Sequence, residues 1–469
     1  MLSDIIRKEI LDTINSPKFV FTFLLCTVLI LLSVYTGITN YRAELREYNA
    51  AIALNRKNLE SQPSYGALAG LGTKITKPPQ VMSTVISGIQ QAVGRQATVN
   101  IAYDPSLVDS KYDSNPVLAI FGELDLTLIV RIVLSLLAIL FTYDAIVGER
   151  ERGTLKLSLS NRVPRDRLIL GKTIGGFISL MVPLVIPFVI GLIMLLLFPD
   201  LSFTTSDWIR MGFIFLLFIL YLSVFFTLGL LVSAVTGRSS SSLFILLFAW
   251  VTFIFVIPKV AVIVAGFINP IPSVHEVTAQ KDAFLQEIQG SAQKEVMEWI
   301  KNNPRGEGED ATAWQEKFRK YIEDFQQNST AKIDSRNAEL EHEYQAKRHR
   351  QQLLAMVLSR ISPASDLSFG AMSMGRTGIQ EHERFLNSIK SYKPIFTKWA
   401  NAKMMQSINF KNPGEQVKPD ITDMPQHDFR PMRLRESLAL AIPDFAVLAL
   451  MIIVFFTGAY VSFLRYDVR

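Results

Sequence analysis

Six apolar runs, each long enough to cross a bilayer, constrain this chain more than any other feature of its sequence: residues 17–38, 126–147, 168–198, 208–235, 243–267 and 437–464. About 20 predominantly apolar residues carry a helix across the hydrocarbon core, where a helix keeps its backbone polar groups satisfied internally. The pattern therefore predicts a mainly α fold, a bundle of six transmembrane helices. At 469 residues and 49% hydrophobic content, the chain is too apolar for an ordinary soluble protein and too polar to lie wholly in the membrane. Two long polar stretches, 39–125 and 268–436, account for the difference.

Charge places the loops. Lysine and arginine crowd the stretch from Gly148 to Lys172, including Arg150, Arg152, Arg162, Arg165 and Arg167, whereas Pro199 to Asp207 has acids and no base. Short basic loops stay in the cytoplasm. Loop 148–167 is therefore expected inside, with both termini, and the two long polar stretches outside. Residues 1–16 read as an amphipathic interfacial helix, with Leu2, Ile6, Ile10 and Ile14 on one side and Arg7, Lys8 and Asp12 on the other. No small-residue cleavage site follows the first apolar run, so that run is expected to stay as an anchor.

The first polar stretch is predicted to continue as helix through Glu60, to turn at Gly66–Gly72 and to form a short strand over Thr98–Tyr103. The second is predicted to be largely helical. Residues 280–301 and 312–358 carry apolar positions at helical spacing, with a break between them, and form a hairpin. Arg131, near the outer end of the second span, is expected to snorkel to the interface.

The richest local pattern is Asp144-Ala-Ile-Val-Gly-Glu-Arg-Glu-Arg-Gly-Thr-Leu155. Gly148 is expected to end the incoming helix, and Glu149, Arg150, Glu151 and Arg152 to form a short charged helix on the membrane surface, followed by Gly153 and Thr154. Acids spaced like these are displayed rather than convergent, so the segment reads as a docking surface. The turn Thr236–Ser242, with Arg238, is a second inner contact point. Asp144 lies at the inner end of its span and needs a basic partner. Lys172 and the loop arginines are the candidates for a structural latch.

Several chemistries are excluded. Gly171-Lys172-Thr173 resembles the end of a phosphate-binding loop, but Asp166 stands where that pattern needs glycine and no strand precedes it. The five histidines show no metal-ligand spacing, and Cys26 is the sole cysteine, so no metal site is expected. A net charge of +6 spread along the chain is not the basic stripe of a nucleic-acid binder.

The order of residues in Tyr143–Leu157, then Ser160-Asn-Arg-Val-Pro-Arg165 and Gly171–Lys172, resembles the permease subunits of type-2 ATP-binding-cassette (ABC) exporters. Ser362–Gly378, followed by His382 and Phe385, resembles a subgroup of these with large outer domains. The resemblance implies an export role in the bacterial inner membrane. Glu149, Arg150, Glu151, Arg152, Gly153, Thr154 and Arg238 would touch a separate ABC ATPase, present in two copies. A second permease copy or a paralogue would complete the path, and ATP and Mg would sit on the ATPase, with no cofactor on this chain. The long outer segments raise an alternative, in which the permease drives an extracytoplasmic partner mechanically and moves no solute. A motor-free receptor or scaffold is a third reading.

Overall fold

Helix occupies each apolar run. The computed structural model describes residues 2–90, 93–102, 105–108, 125–156, 164–304, 311–407 and 417–465. They divide into two units: the first comprises Met1–Lys259 with Ser359–Arg469, the second Val260–Leu358. The stretch 268–436, continuous as a polar segment in sequence, is thus split between them.

In the first unit, α1 (Leu2–Ile14) leads through a turn at Ser16 into α2 (Pro17–Glu60). Ser16 caps α2 by accepting from the Phe19 amide, and Pro17 sits at the first helical position, where no donor is wasted. At 44 residues α2 is far longer than a bilayer requires, so one uninterrupted rod joins the first span to the polar region beyond it. There follow α3 (Tyr65–Leu71), β1 (Thr73–Thr76), β2 (Gln96–Val99) and β3 (Ser106–Val108). The strands form an antiparallel sheet in the order β1-β2-β3, with Ile75 opposite Ala97 and Ala97 opposite Leu107. The strand expected at Thr98–Tyr103 is centred earlier, and Tyr103 lies outside the described residues.

The remaining spans are α4 (Leu126–Glu151), α5 (Arg165–Leu196), α6 (Thr205–Val235), α7 (Ser239–Ile268) and α12 (Leu434–Leu464). With α2 they make, among the described residues, six helices long and apolar enough to cross a membrane. A π-helical turn lies in α4 at Ile129–Leu134 and another in α7 at Thr252–Val256. A capping box between Thr204 and Asp207 starts α6.

Four further helices of the described residues belong to the polar stretch: α8 (Val274–Asn302) and α9 (Ala311–Ser359), then α10 (Pro363–Gly375) and α11 (Ile379–Ser407). Every residue of α10 is buried. At 13 residues it is too short to cross, and it is wedged among the spans: Gly370 lies against Leu217 of α6 and Asp444 of α12. The Ser362 hydroxyl donates to the Phe253 carbonyl, which the π-helical turn of α7 leaves available.

Arg210 is fully buried near the start of α6. Its guanidinium donates to the carbonyls of Met374 (3.0 Å) and Met432 (2.8 Å) and to the Ser437 hydroxyl (2.7 Å). Arg376, in the left-handed region at φ 56°, ends α10 and pairs with Asp207 at 2.7 Å. Arg131 does not snorkel. It is 5% exposed and donates to Ser368 of α10 at 3.2 Å, because α10 offers acceptors inside the bundle where the sequence showed only lipid.

Beyond the spans, the first polar stretch and α11 share one core. Leu59, Leu68, Ile75, Val99, Phe385, Ile389 and Phe396 pack together, and the Tyr392 hydroxyl donates to the Pro425 carbonyl at 2.5 Å. Residues distant in sequence thus close one small domain around the end of α2.

In the second unit, α8 and α9 run antiparallel. Lys281 pairs with Glu341 at 3.4 Å, and the Tyr321 hydroxyl reaches the Glu295 carbonyl. Near the connection Trp299 stacks on Tyr321 at 4.8 Å and Trp314 on Phe318 at 5.5 Å. The helical hairpin predicted from the sequence forms; its connecting residues 305–310 lie outside the described set.

Candidate functional site

The charged segment after the second span is built by a break in α4. Helix proper runs to Thr142, the chain turns over Tyr143–Ile146, and a short helix follows at Val147–Glu151. The break is satisfied from α6: the Ser233 hydroxyl accepts from the amides of Ile146 (3.0 Å) and Val147 (3.1 Å). These are amides the turn leaves without helical carbonyls. Ser233 was not singled out in the sequence; a fully buried hydroxyl in an apolar span is the signal that marks it.

The short helix is tied on three sides. Lys172, 5% exposed on α5, sits 2.8 Å from Glu149 and 3.4 Å from Glu9 of α1. Arg150 donates to the carbonyls of Thr236 (2.9 Å) and Ala234 (3.3 Å), which the end of α6 exposes. Glu151 accepts from the Ser239 amide at 3.0 Å and its hydroxyl at 2.5 Å, at the first turn of α7. A carboxylate there meets free amides and the positive end of the helix dipole. Arg152 folds back to the Gly148 carbonyl at 3.1 Å, and the Thr154 hydroxyl donates to the Glu149 carbonyl at 3.3 Å. Gly148 does not end the incoming helix as expected: that helix stops at Thr142, and Gly148 lies buried inside the short helix, after which Gly153 takes φ 74°.

The latch pairing differs from the expected one. Asp144 does not meet Lys172. It lies 3.4 Å from Lys18 at the start of α2, beside the Tyr143 ring. The turn at Tyr143–Ile146 swings Asp144 towards α2, and Glu149, one helical turn on, takes Lys172. Neither Lys18 nor Glu9 stood out in sequence, since both belong to ordinary charge patterns near the amino terminus.

Exposure then divides the segment. Glu149 and Arg150 are half-buried, whereas Glu151, Arg152, Gly153, Thr154 and Lys156 are exposed, as is Arg238 at the start of α7. Leu155 is buried. Arg162 and Leu157 lie outside the described residues. The result is an exposed tip joined by short polar contacts to α1, α5, α6 and α7. Close packing of α1 on α5 completes the frame: a side chain at Gly175 would stand 2.8 Å from the Glu9 Cβ and 3.0 Å from the Ile6 carbonyl. Nearby, Arg165 holds the last turn of α12 through the Leu464 carbonyl at 2.8 Å.

A family model described as ABC-2 family transporter protein matches residues 4–468, nearly the whole chain. The chain belongs to that family. Among curated proteins, the probable ABC transporter permease protein NosY of Pseudomonas aeruginosa is 48% identical over 50 residues. The match covers 11% of this chain and 18% of that relative, so it speaks to a segment and not to the whole. A multi-pass membrane protein of the ABC-2 family is thus the frame in which the charged segment has to be understood.

Proposed function

We propose that this chain is the permease subunit of an ATP-driven exporter of the bacterial inner membrane, moved by a separate ATPase that grips the tip at Glu151–Lys156 and the Thr236–Arg238 turn. The observation that carries the reading is the set of ties behind the tip. A push on Arg152 or Thr154 passes through Glu149–Lys172 to α5 and α1, and through Arg150 and Glu151 to the junction of α6 and α7. On this reading the tip faces the cytoplasm, and both termini lie there with it. ATP and Mg belong to the partner. Work on the permease then comes from the partner's differential affinity for two permease arrangements. A second permease copy lines the path with this one.

A second reading has its own observation. The uninterrupted α2 carries any movement of the first span directly into the domain cored by Leu59 and Phe385. That favours a permease that works mechanically on an extracytoplasmic partner.

The experiment is reconstitution with the partner ATPase in proteoliposomes. Glu149→Ala with Glu151→Ala should lower permease-coupled ATP hydrolysis several-fold while membrane insertion stays intact. Hydrolysis at the wild-type rate would remove the docking role. Coupled hydrolysis without solute movement would select the mechanical reading, and failure of any ATPase to associate would leave a scaffold.

A further inference from the structure

The contact between α10 and α12 holds one base and two acids. The Arg360 Nε lies 3.0 Å from Asp444 Oδ1 and 3.9 Å from Asp366 Oδ1. Both carboxyl side chains are at most 1% exposed. Neither oxygen of Asp366 has a hydrogen-bond partner among the described residues, nor has Asp444 Oδ2. Among the described residues, Arg360 and Asp444 are the charged groups that act on Asp366. The site is tightly closed, since a side chain added at Gly370 would stand 2.8 Å from Leu217 and 3.5 Å from Asp444.

We propose that Asp366 carries a proton in this arrangement, so that the seat of α10 against α12 is a proton-binding site. One guanidinium neutralises one carboxylate. Asp444 takes the short contact and the charge with it. A second carboxylate in the same place would be anionic, desolvated and without a donor, which is the state burial most disfavours. Ionisable groups at membrane depth are costly to keep without a role. When α10 seats, the Asp366 carboxylate takes one proton from water. When α10 leaves, the O–H bond breaks, the electron pair stays on the carboxylate and the proton returns to water. Any rearrangement that unseats α10 therefore releases a proton, which makes the transition pH-dependent.

Infrared spectroscopy of the purified full-length chain in detergent tests this. A protonated-carboxyl carbonyl band should be present at neutral pH and fade as the solution is made alkaline. Asp366→Asn should lower it by the intensity of one carboxyl, and Arg360→Gln should raise it by a similar amount, because Asp444 then also takes a proton. If Asp366→Asn does not fold, Asp366→Glu should move the band in frequency. No such band in the unmodified protein at neutral pH overturns the proposal, as does a band unchanged in Asp366→Asn or in Asp366→Glu.

Discussion

The two ends of the membrane bundle spend their charge differently. At the tip after α4, ions are half-exposed, and their partners are backbone groups at helix ends or other surface ions: Glu151 on Ser239, Arg150 on Thr236, Lys18 on Asp144. Around α10 the ions are sealed in: Arg210, Arg131 and the Arg376–Asp207 pair. Solvated contacts are weak and screened, and can be exchanged for a partner's at little cost. Sealed contacts are expensive to break because each leaves a buried group unsatisfied. The first arrangement suits a surface that has to be gripped and released; the second suits a wedge that sets how the spans lie and is costly to unseat.

The comparison breaks first at Arg210. Arg210→Met removes three donated hydrogen bonds and strands the Met374 and Met432 carbonyls. We expect a loss of about 4 kcal/mol in stability, a large single-residue effect, read as a fall in thermal unfolding temperature in detergent. A loss below about 1 kcal/mol would mean that the buried end is no more fixed than the tip.

Lys77 sharpens the same point through pH. It is 4% exposed in the domain beyond the spans, where burial first, and Arg95 beside it, push its ammonium down to about 8 against the pull of Glu381 and Glu44. The unfolded chain holds this proton up to the ordinary 10.5, so between about 8 and 10.5 the unfolded state binds more protons. Stability should therefore rise with pH across that window, by up to about 3 kcal/mol from this group. In Lys77→Met that rise should be absent. Superimposable pH profiles of the two proteins would show that Lys77 keeps its ordinary affinity for protons.

How far the sequence anticipates each end follows from the same contrast. The spans are legible because a continuous apolar run needs no partner to be recognised. The tip is legible because exposed charge breaks abruptly out of such a run at Glu149. The wedge is not legible as a helix inside the bundle. Ser365, Asp366, Ser368, Gly370 and Ser373 make Pro363–Gly375 as polar as the stretch around it, and its burial on all sides depends on α6, which ends at Val235, and α12, which starts at Leu434. Partner choice is equally opaque. Whether Asp144 meets Lys172 or Lys18 rests on a four-residue turn stabilised by Ser233 on another helix.

Lys172 lies between the two regimes, since it is buried but its partners are about four-fifths covered and belong to the tip. Lys172→Met should cost about 2 kcal/mol, less than a fully sealed pair because water reaches Glu149 and Glu9. It should also loosen α1 from α5, read as faster proteolysis near the amino terminus. Unchanged proteolysis would mean that the glycine-faced packing at Gly171 and Gly175 holds α1 without the ion pair.

The smallest effect is expected at Gly153, and it separates backbone from contact. Its φ of 74° favours glycine, yet nothing lies within 4 Å of where a Cβ would be. Gly153→Ala therefore meets no neighbour and carries only the cost of the left-handed backbone, about 1 kcal/mol. Because the tip is exposed and tied through Glu149, Arg150 and Glu151, that strain should be relieved locally. Unfolding temperature should hardly move, while hydrogen exchange at Arg152–Lys156 should quicken. If exchange instead quickens throughout α5 and α7, the ties through Glu149, Arg150 and Glu151 do not absorb strain at the tip, and the contrast between the two ends fails.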